Sequence, residues 1–204
     1  VGNAFRFNLG YLNSEWWSAR IWFGNYDDKF DINDLGFIKR NNITWTGARL
    51  ALRRQEPWGY FINNDLEFKY TQDWNGSGLV LEKEVEIEQS NLFSNYWRAG
   101  FFGKLFFPGF NDEDVFRNDN AWIYKTELWG YAGPSFSTDR RKKIIIGAEI
   151  GSGYGEKRGR GYRANLWLKA KPVEQLNIEI NAMQDRSPSY MQWVDLVENL
   201  DDTI

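Results

Sequence analysis

The sequence predicts an all-β protein, an antiparallel up-and-down meander that forms part of a transmembrane outer-membrane β-barrel. Apolar and polar residues alternate with a period of two, which places one set on each face of a strand. Phe, Trp and Tyr make up 18% of the 204 residues, yet the mean hydropathy is only −0.60. A membrane barrel reconciles these two values, because its outer surface is apolar and aromatic while its interior is polar.

The alternation divides the chain into about ten segments, each near the length of about ten residues that a tilted strand needs to cross a bilayer. The predicted strands cover residues 4–12, 16–25, 43–54, 60–72, 78–90, 95–107, 121–137, 142–152, 161–171 and 176–184. Residues predicted to face outward include Trp17, Ile21, Phe101, Leu105, Leu166, Leu168, Ile178 and Ile180. Residues predicted to face inward include Arg20, Arg98, Lys104, Arg163 and Glu179.

The predicted connections are short on one side and mostly long on the other. Tight turns are expected at residues 13–15, 55–59, 91–94, 138–141 and 172–175. Longer polar loops are expected at residues 26–42, 108–120, 153–160 and 185–189, with residues 73–77 as a short exception. This asymmetry is typical of outer-membrane barrels, whereas a soluble sandwich would use Greek-key connections.

Composition excludes several kinds of chemistry. The formal charge of −3, from 25 basic and 28 acidic residues, gives no support for nucleic acid as a partner. The chain has no Cys and no His, so it lacks disulfides, thiolate metal sites and the most common general base. No catalytic residue and no cofactor are therefore predicted. Purely apolar runs such as Ile144 to Ile146 are too short for a transmembrane helix.

We expect residues 1–204 to be one partial barrel domain of about ten to eleven strands. The chain begins at Val1 rather than Met and approaches a strand by Phe5. We therefore interpret it as a fragment of a longer protein.

A row of four glutamates is the most distinctive polar feature. Glu82, Glu84, Glu86 and Glu88 are spaced by two, so they share one face of a strand. The next strand carries Arg98 and Lys104 on its polar side, and all six residues are predicted to line the lumen. Because carboxylates in a row repel, we expect at least one basic side chain to contact them. A solvated wall with cross-strand ion pairs is favoured over a cation-selective filter.

Lys83 interrupts the apolar side of the same strand. A lysine is costly at the bilayer midplane, but near an interface its ammonium can reach the headgroups.

Aromatic rings cluster near the predicted strand ends, where amphipathic rings favour the headgroup zone of a membrane. Trp16, Trp17, Trp97, Trp122 and Tyr124 are the predicted aromatic belt. Ordinary Trp and Tyr residues of a soluble β core are the alternative explanation.

Two acidic loops supply candidate Ca²⁺ ligands, Asp31 and Asp34 in one and Asp112 and Asp114 in the other. Neither loop has the spacing or the terminal Glu of an EF-hand. Solvated turns capped by Asp and Asn are favoured, so no metal is predicted.

The segment from Phe30 to Asn42 resembles an uncharacterised family of predicted outer-membrane barrels in Gram-negative bacteria. The stretch Gly133-Pro134, followed by Ser137-Thr138-Asp139-Arg140-Arg141-Lys142, is similar to the same family. The family more usually has a basic residue and paired glycines before this proline, where Tyr131-Ala132-Gly133 stands here. Its barrel commonly follows a module similar to family-nine carbohydrate-binding domains. The resemblance covers most of this chain but only part of the family's barrel, and it implies no catalytic residues.

These observations predict a bacterial outer-membrane protein with a structural, transport or surface-display role, with a polysaccharide link through the family's N-terminal module. The expected partners are outer-membrane lipid, together with polysaccharide or partner outer-membrane proteins. One alternative is a soluble β-sandwich carbohydrate-binding module that binds through surface Trp. A carboxylate-based glycoside hydrolase is a further alternative, disfavoured because no nucleophile motif or His is present.

Overall fold

The computed structural model describes residues 2–12, 15–30, 40–112 and 123–186, and the described chain is all-β. Its strands are β1 (Ala4–Tyr11), β2 (Trp17–Tyr26), β3 (Ile43–Arg54), β4 (Phe61–Asn75), β5 (Val80–Phe93), β6 (Arg98–Phe106), β7 (Phe110–Asn111), β8 (Tyr124–Lys125), β9 (Trp129–Ser137), β10 (Ile144–Gly155), β11 (Gly159–Val173) and β12 (Leu176–Arg186). Over these ranges, no helix is long and apolar enough to cross a membrane.

The ten long strands form one antiparallel sheet in the order β1-β2-β3-β4-β5-β6-β9-β10-β11-β12. Each of these strands therefore pairs with its neighbours along the sheet, and the predicted up-and-down meander is confirmed. The short strands β7 and β8 pair with each other in a separate ribbon between β6 and β9.

The connections define two ends of the sheet. We call the end with residues 55–60, 94–97, 138–143 and 174–175, where β1 ends and β2 begins, the short-turn end. The opposite end, with residues 76–79 and 156–158, where β2 and β6 end and β3 and β9 begin, is the long-loop end. Predicted and observed strand bounds agree within a few residues for most of the sheet.

Two predicted elements are wrong. Residues 121–137 were expected to form one strand, but β9 begins only at Trp129. Pro108 has no amide hydrogen to continue the ladder beyond β6, so Tyr124 pairs with Asn111 instead. Residues 153–160 were expected to form a long loop, but Gly155 pairs with Gly159 and leaves a three-residue turn, residues 156–158.

The register separates two chemically different faces. Ile21, Phe101, Leu105, Leu166 and Ile180 lie on one face, which we call the apolar face. The residues predicted to face inward, Arg20, Arg98, Lys104, Arg163 and Glu179, lie on the opposite, polar face. This separation confirms the predicted alternation along the sheet.

Neither face of the described sheet is covered by a closed apolar core. Ala51, which is 3% exposed, is the one apolar side chain that is buried within these ranges. Large apolar side chains instead remain accessible along the apolar face, with Leu166 at 53% and Ile180 at 59%. Some side chains in the middle of the polar face are more enclosed, and Glu84 is only 5% exposed.

Candidate functional site

The four glutamates predicted to share a face do so, and we call them the Glu ladder (Glu82, Glu84, Glu86 and Glu88). On β4 they lie opposite Asp73, Thr71, Lys69 and Glu67, in that order. On β6 the last three lie opposite Phe106, Lys104 and Phe102. The ladder thus runs down the middle of the polar face, with one basic residue beside it on each neighbouring strand.

The predicted basic contact to the ladder is present in Lys104. Its Nζ lies 2.7 Å from Glu84 Oε2 and 3.9 Å from Glu86 Oε2. On the other side of the ladder, Lys69 Nζ lies 3.3 Å from the same Glu86 oxygen. Two ammonium groups therefore offset the charge at the centre of the ladder, where the Glu84 side chain is nearly enclosed.

Arg98 shares the polar face but does not reach the ladder. It lies opposite Leu92 on β5 and Ser137 on β9. Glu88 pairs with Phe102, four residues farther along β6, which is about 13 Å at the rise of a strand. The alternation of residues along the sequence placed Arg98 on the correct face. The register of β6 with β5 and β9 decides which residues lie opposite it.

Ion pairs of the same kind continue across the polar face. Arg49 pairs with Glu67, and Arg53 lies 4.0 Å from Asp65. Near the other edge, Arg163 and Asp185 are 2.6 Å apart. The face therefore carries charges of both signs, many of them in ion pairs, rather than charges of one sign.

Tryptophan rings on the polar face lie over glycines of the adjacent strand. Trp22 pairs with Gly47, and Trp45 pairs with Gly24, so each ring covers the glycine across from it. A Cβ at either glycine would overlap the facing indole. The repeated pattern Trp-x-Gly in β2 and β3 is the sequence signal that could have revealed this packing.

The same arrangement recurs in β9 to β11. The Trp167 ring covers Gly147, and the Trp129 ring lies against Gly153 and Gly155. Trp45 and Trp129 lie near the ends of β3 and β9, and both rings lie on the polar face.

The predicted belt residues divide between the two ends of the sheet and the chain outside the described ranges. Trp16 and Trp17 lie at the short-turn end with ring centroids 6.0 Å apart. Trp97 is at the same end and meets the edge of Phe136 at 5.2 Å. Tyr124 lies in the β7–β8 ribbon, and Trp122 lies outside the described residues.

A carboxylate at the long-loop end joins two connections to β4. Asp112 accepts hydrogen bonds from Arg40 at 2.6 and 2.8 Å and from Asn75 at 3.1 Å. The Arg40 guanidinium holds the pKa of the Asp112 carboxyl below its ordinary value. This ion pair ties Arg40, three residues before β3 begins, to the residue directly after β7, so Asp112 is engaged in a structural contact.

The other candidate Ca²⁺ ligands, Asp31, Asp34 and Asp114, lie outside the described residues. Within the described ranges, no group of three Asp, Glu, His or Cys side chains is arranged to hold a metal ion.

Glu127 makes a second structural contact at the long-loop end. Its carboxylate, which is nearly buried, accepts hydrogen bonds from the backbone amides of Lys157 and Arg158. The Arg158 Nε lies 3.5 Å from the same side chain. The residues before β9 were expected to belong to the same strand. They depart from it because the Glu127 contacts hold them against the β10–β11 turn.

The motif from Ser137 to Lys142 forms the β9–β10 turn. Thr138 Oγ1 accepts a hydrogen bond from the Ile146 amide at 2.9 Å. Asp139 accepts hydrogen bonds from the backbone and guanidinium of Arg141, which lowers the pKa of Asp139 to about 2. Arg141 also lies over the ring of Tyr96, joining this turn to the β5–β6 turn. The motif thus has a structural explanation.

A family model described as "Domain of unknown function (DUF5916)" matches residues 2–204. None of the curated proteins and none of the solved structures matches the chain.

Proposed function

The chain belongs to the DUF5916 family of domains of unknown function, and for this member we propose a place in the wall of an outer-membrane β-barrel with a structural or surface-display role. The observation that carries the proposal is the contrast between the two faces of one sheet. The apolar face exposes large side chains on strand after strand, and the polar face bears paired charges.

Water is a poor solvent for the apolar face. Ile146, Ile150 and Ile178 are each at least 40% exposed, and they belong to a surface that extends across the sheet. Soluble monomers rarely expose contiguous apolar patches larger than a few hundred Å². Lipid hydrocarbon would solvate this face, and closure with further strands would satisfy the outer edges of β1 and β12.

A soluble sandwich would require a second sheet packed on the apolar face. Among the described residues, the second sheet consists of β7 and β8, with two residues in each strand. The carbohydrate-binding sandwich is therefore less well supported than the barrel. The link to polysaccharide and the absence of enzymatic activity stay predictions.

The membrane proposal is tested by electrophoretic mobility. The full-length protein, extracted in detergent, should migrate faster when unheated than after boiling, because a closed barrel resists denaturation by the gel detergent. It should also float with liposomes after reconstitution. A protein that stays in solution without detergent and shows one mobility would overturn the proposal.

The paired charges favour a narrow interior over an open pore, and conductance tests this role. Glu82, Glu84, Glu86 and Glu88 should all be replaced by Gln in the reconstituted full-length protein. We expect negligible conductance before and after the change, because Lys69 and Lys104 already neutralise the centre of the ladder. Large cation-selective currents that disappear in the variant would instead assign a transport role.

A further inference from the structure

The apolar face carries a groove with basic residues at one end. The groove has a volume of about 1100 Å³ and crosses β5, β6, β9, β10 and β11. Its floor consists of small residues, Gly103, Gly130, Ala132 and Ser152. The register aligns Gly103 with Ala132, and Ala132 with Ser152, so three adjacent strands lack large side chains at the same level.

Large side chains form the walls of the groove. Phe101 and Leu105 border it on β6, and Tyr154 and Tyr162 border it on β10 and β11. The volume exceeds the lower limit of about 300 Å³ for small-molecule pockets. The walls and floor are almost entirely apolar, which suits a hydrocarbon chain rather than a polar ligand.

Charge is distributed unevenly along this face. The register puts four charged residues of the described sheet on the apolar face, Arg54, Lys83, Arg160 and Arg186, and all of them are basic. Acidic residues outnumber basic ones in the whole chain, 28 to 25, so composition does not explain why the charged residues on the apolar face are all basic.

Lys83, Arg160 and Arg186 lie at the long-loop end, and Arg54 lies at the short-turn end. Two of the cations lie close together at the edge of the groove. Arg160 lines it directly and pairs with Tyr154. Arg186, on the neighbouring strand, lies opposite Tyr162, so Arg160 and Arg186 are diagonal neighbours about 7–8 Å apart. Lys83 is on β5, four strands from Arg160, which is about 19 Å at the usual strand spacing. Within the described ranges, no acidic side chain forms an ion pair with Arg160 or Arg186, so both charges remain available to an anion.

We propose that this groove binds one phosphate-bearing anionic lipid, with an acyl chain along the small-residue floor and the phosphate between Arg160 and Arg186. The inference rests on the proposed membrane location of the apolar face. It adds a lipid class, a defined site and the long-loop end as the side of binding. Basic residues at a membrane interface attract anionic headgroups, while their apolar stems stay along the hydrocarbon surface.

Native mass spectrometry of the detergent-purified full-length protein tests the site, with phosphatidylglycerol and phosphatidylcholine as the probes. We expect phosphatidylglycerol to bind at least about tenfold more tightly, because two cations act on one headgroup. The double variant Arg160→Gln/Arg186→Gln should lose this preference. Arg54→Gln, which removes a cation from the same face at the other end, should keep it.

A second pair of variants tests the acyl-chain part of the groove. Ser152→Leu fills the floor and should reduce retention of phosphatidylglycerol, whereas Ala148→Leu adds the same side chain to β10 outside the groove lining and should not. Both changes add apolar surface to a face already proposed to meet lipid, so insertion should be preserved.

Equal retention of the two lipids by the native protein would overturn the inference. So would an equal loss of preference in Arg54→Gln, or unchanged binding in Ser152→Leu. The heat-modifiable band, measured for every variant, shows whether the groove proposal fails alone or together with the membrane proposal. If the native protein shows the band but no preference for phosphatidylglycerol, only the lipid-binding groove is refuted. If the native protein shows no such band, the membrane proposal is refuted as well.

Discussion

Replacing Gly24 and Gly47 together by Ala is expected to destabilise the folded sheet by about 3 kcal/mol, at the upper end of the range for forcing extra methyl groups into packed sites. Each new Cβ would overlap an indole, Trp45 at Gly24 and Trp22 at Gly47. Because the rings lie flat across the neighbouring strand, they can move only by leaving their rotamers or by separating β2 from β3. Urea midpoints, read from the loss of the heat-modifiable band, measure the effect.

Gly10→Ala is the matched control. It lies on the same face, and its Cβ would meet nothing closer than 3.5 Å. Alanine in a strand costs less backbone entropy than glycine, so this variant should be neutral or slightly more stable. Adding Trp22→Leu to Gly47→Ala should recover part of the loss. Equal stability of Gly10→Ala and Gly24→Ala/Gly47→Ala would show that the rings do not depend on glycine.

Lys104→Met should destabilise the protein by roughly 3 kcal/mol, because breaking an enclosed ion pair leaves the remaining charge without its partner. Methionine keeps most of the volume but removes the ammonium that lies 2.7 Å from Glu84. The Glu84 side chain is 7% exposed, so water cannot fully replace the lost cation. The double variant Lys104→Met/Glu84→Gln should regain most of the loss, and urea midpoints of the four proteins complete the cycle.

Lys169→Met provides the comparison at an exposed position. Lys169 and Glu179 also form a cross-strand pair on the polar face, at 3.1 Å, but both side chains are about half exposed. An exposed pair contributes about 0–1 kcal/mol, so this variant should have little effect. If Lys169→Met proved as damaging as Lys104→Met, enclosure would not be the source of the difference.

The aromatic residues show how far a sequence pattern can be interpreted. Trp16, Trp17 and Trp97 occur at strand ends in the sequence and lie at the short-turn end of the sheet. Trp45 is also near a strand end, as the third residue of β3, yet it covers Gly24 on the polar face. The position of these rings at strand ends therefore followed from the sequence, but the contacts of each ring depended on the residue paired with it.

The charged residues give the same result at the candidate site. The alternation of residues along each strand was enough to place the Glu ladder, Lys104 and Arg98 on one face. Lys104 contacts the ladder as expected. Arg98 does not, because the β5–β6 turn sets a register that pairs it with Leu92. A hairpin's register follows from its turn geometry, which the alternation of residues does not specify. Lys69, on β4, lies beside Glu86 because the β4–β5 register places the two residues opposite each other.

The sequence by itself determined that the chain forms successive antiparallel strands with one apolar and one polar face. That information is local, because side chains alternate in direction along any extended backbone. Tertiary structure decided the ion pairs, the Trp and Gly partners, the β7–β8 ribbon and the groove on the apolar face. Each of these depends on which residues become neighbours across strands, and that pairing is set by register and by the contacts of the loops.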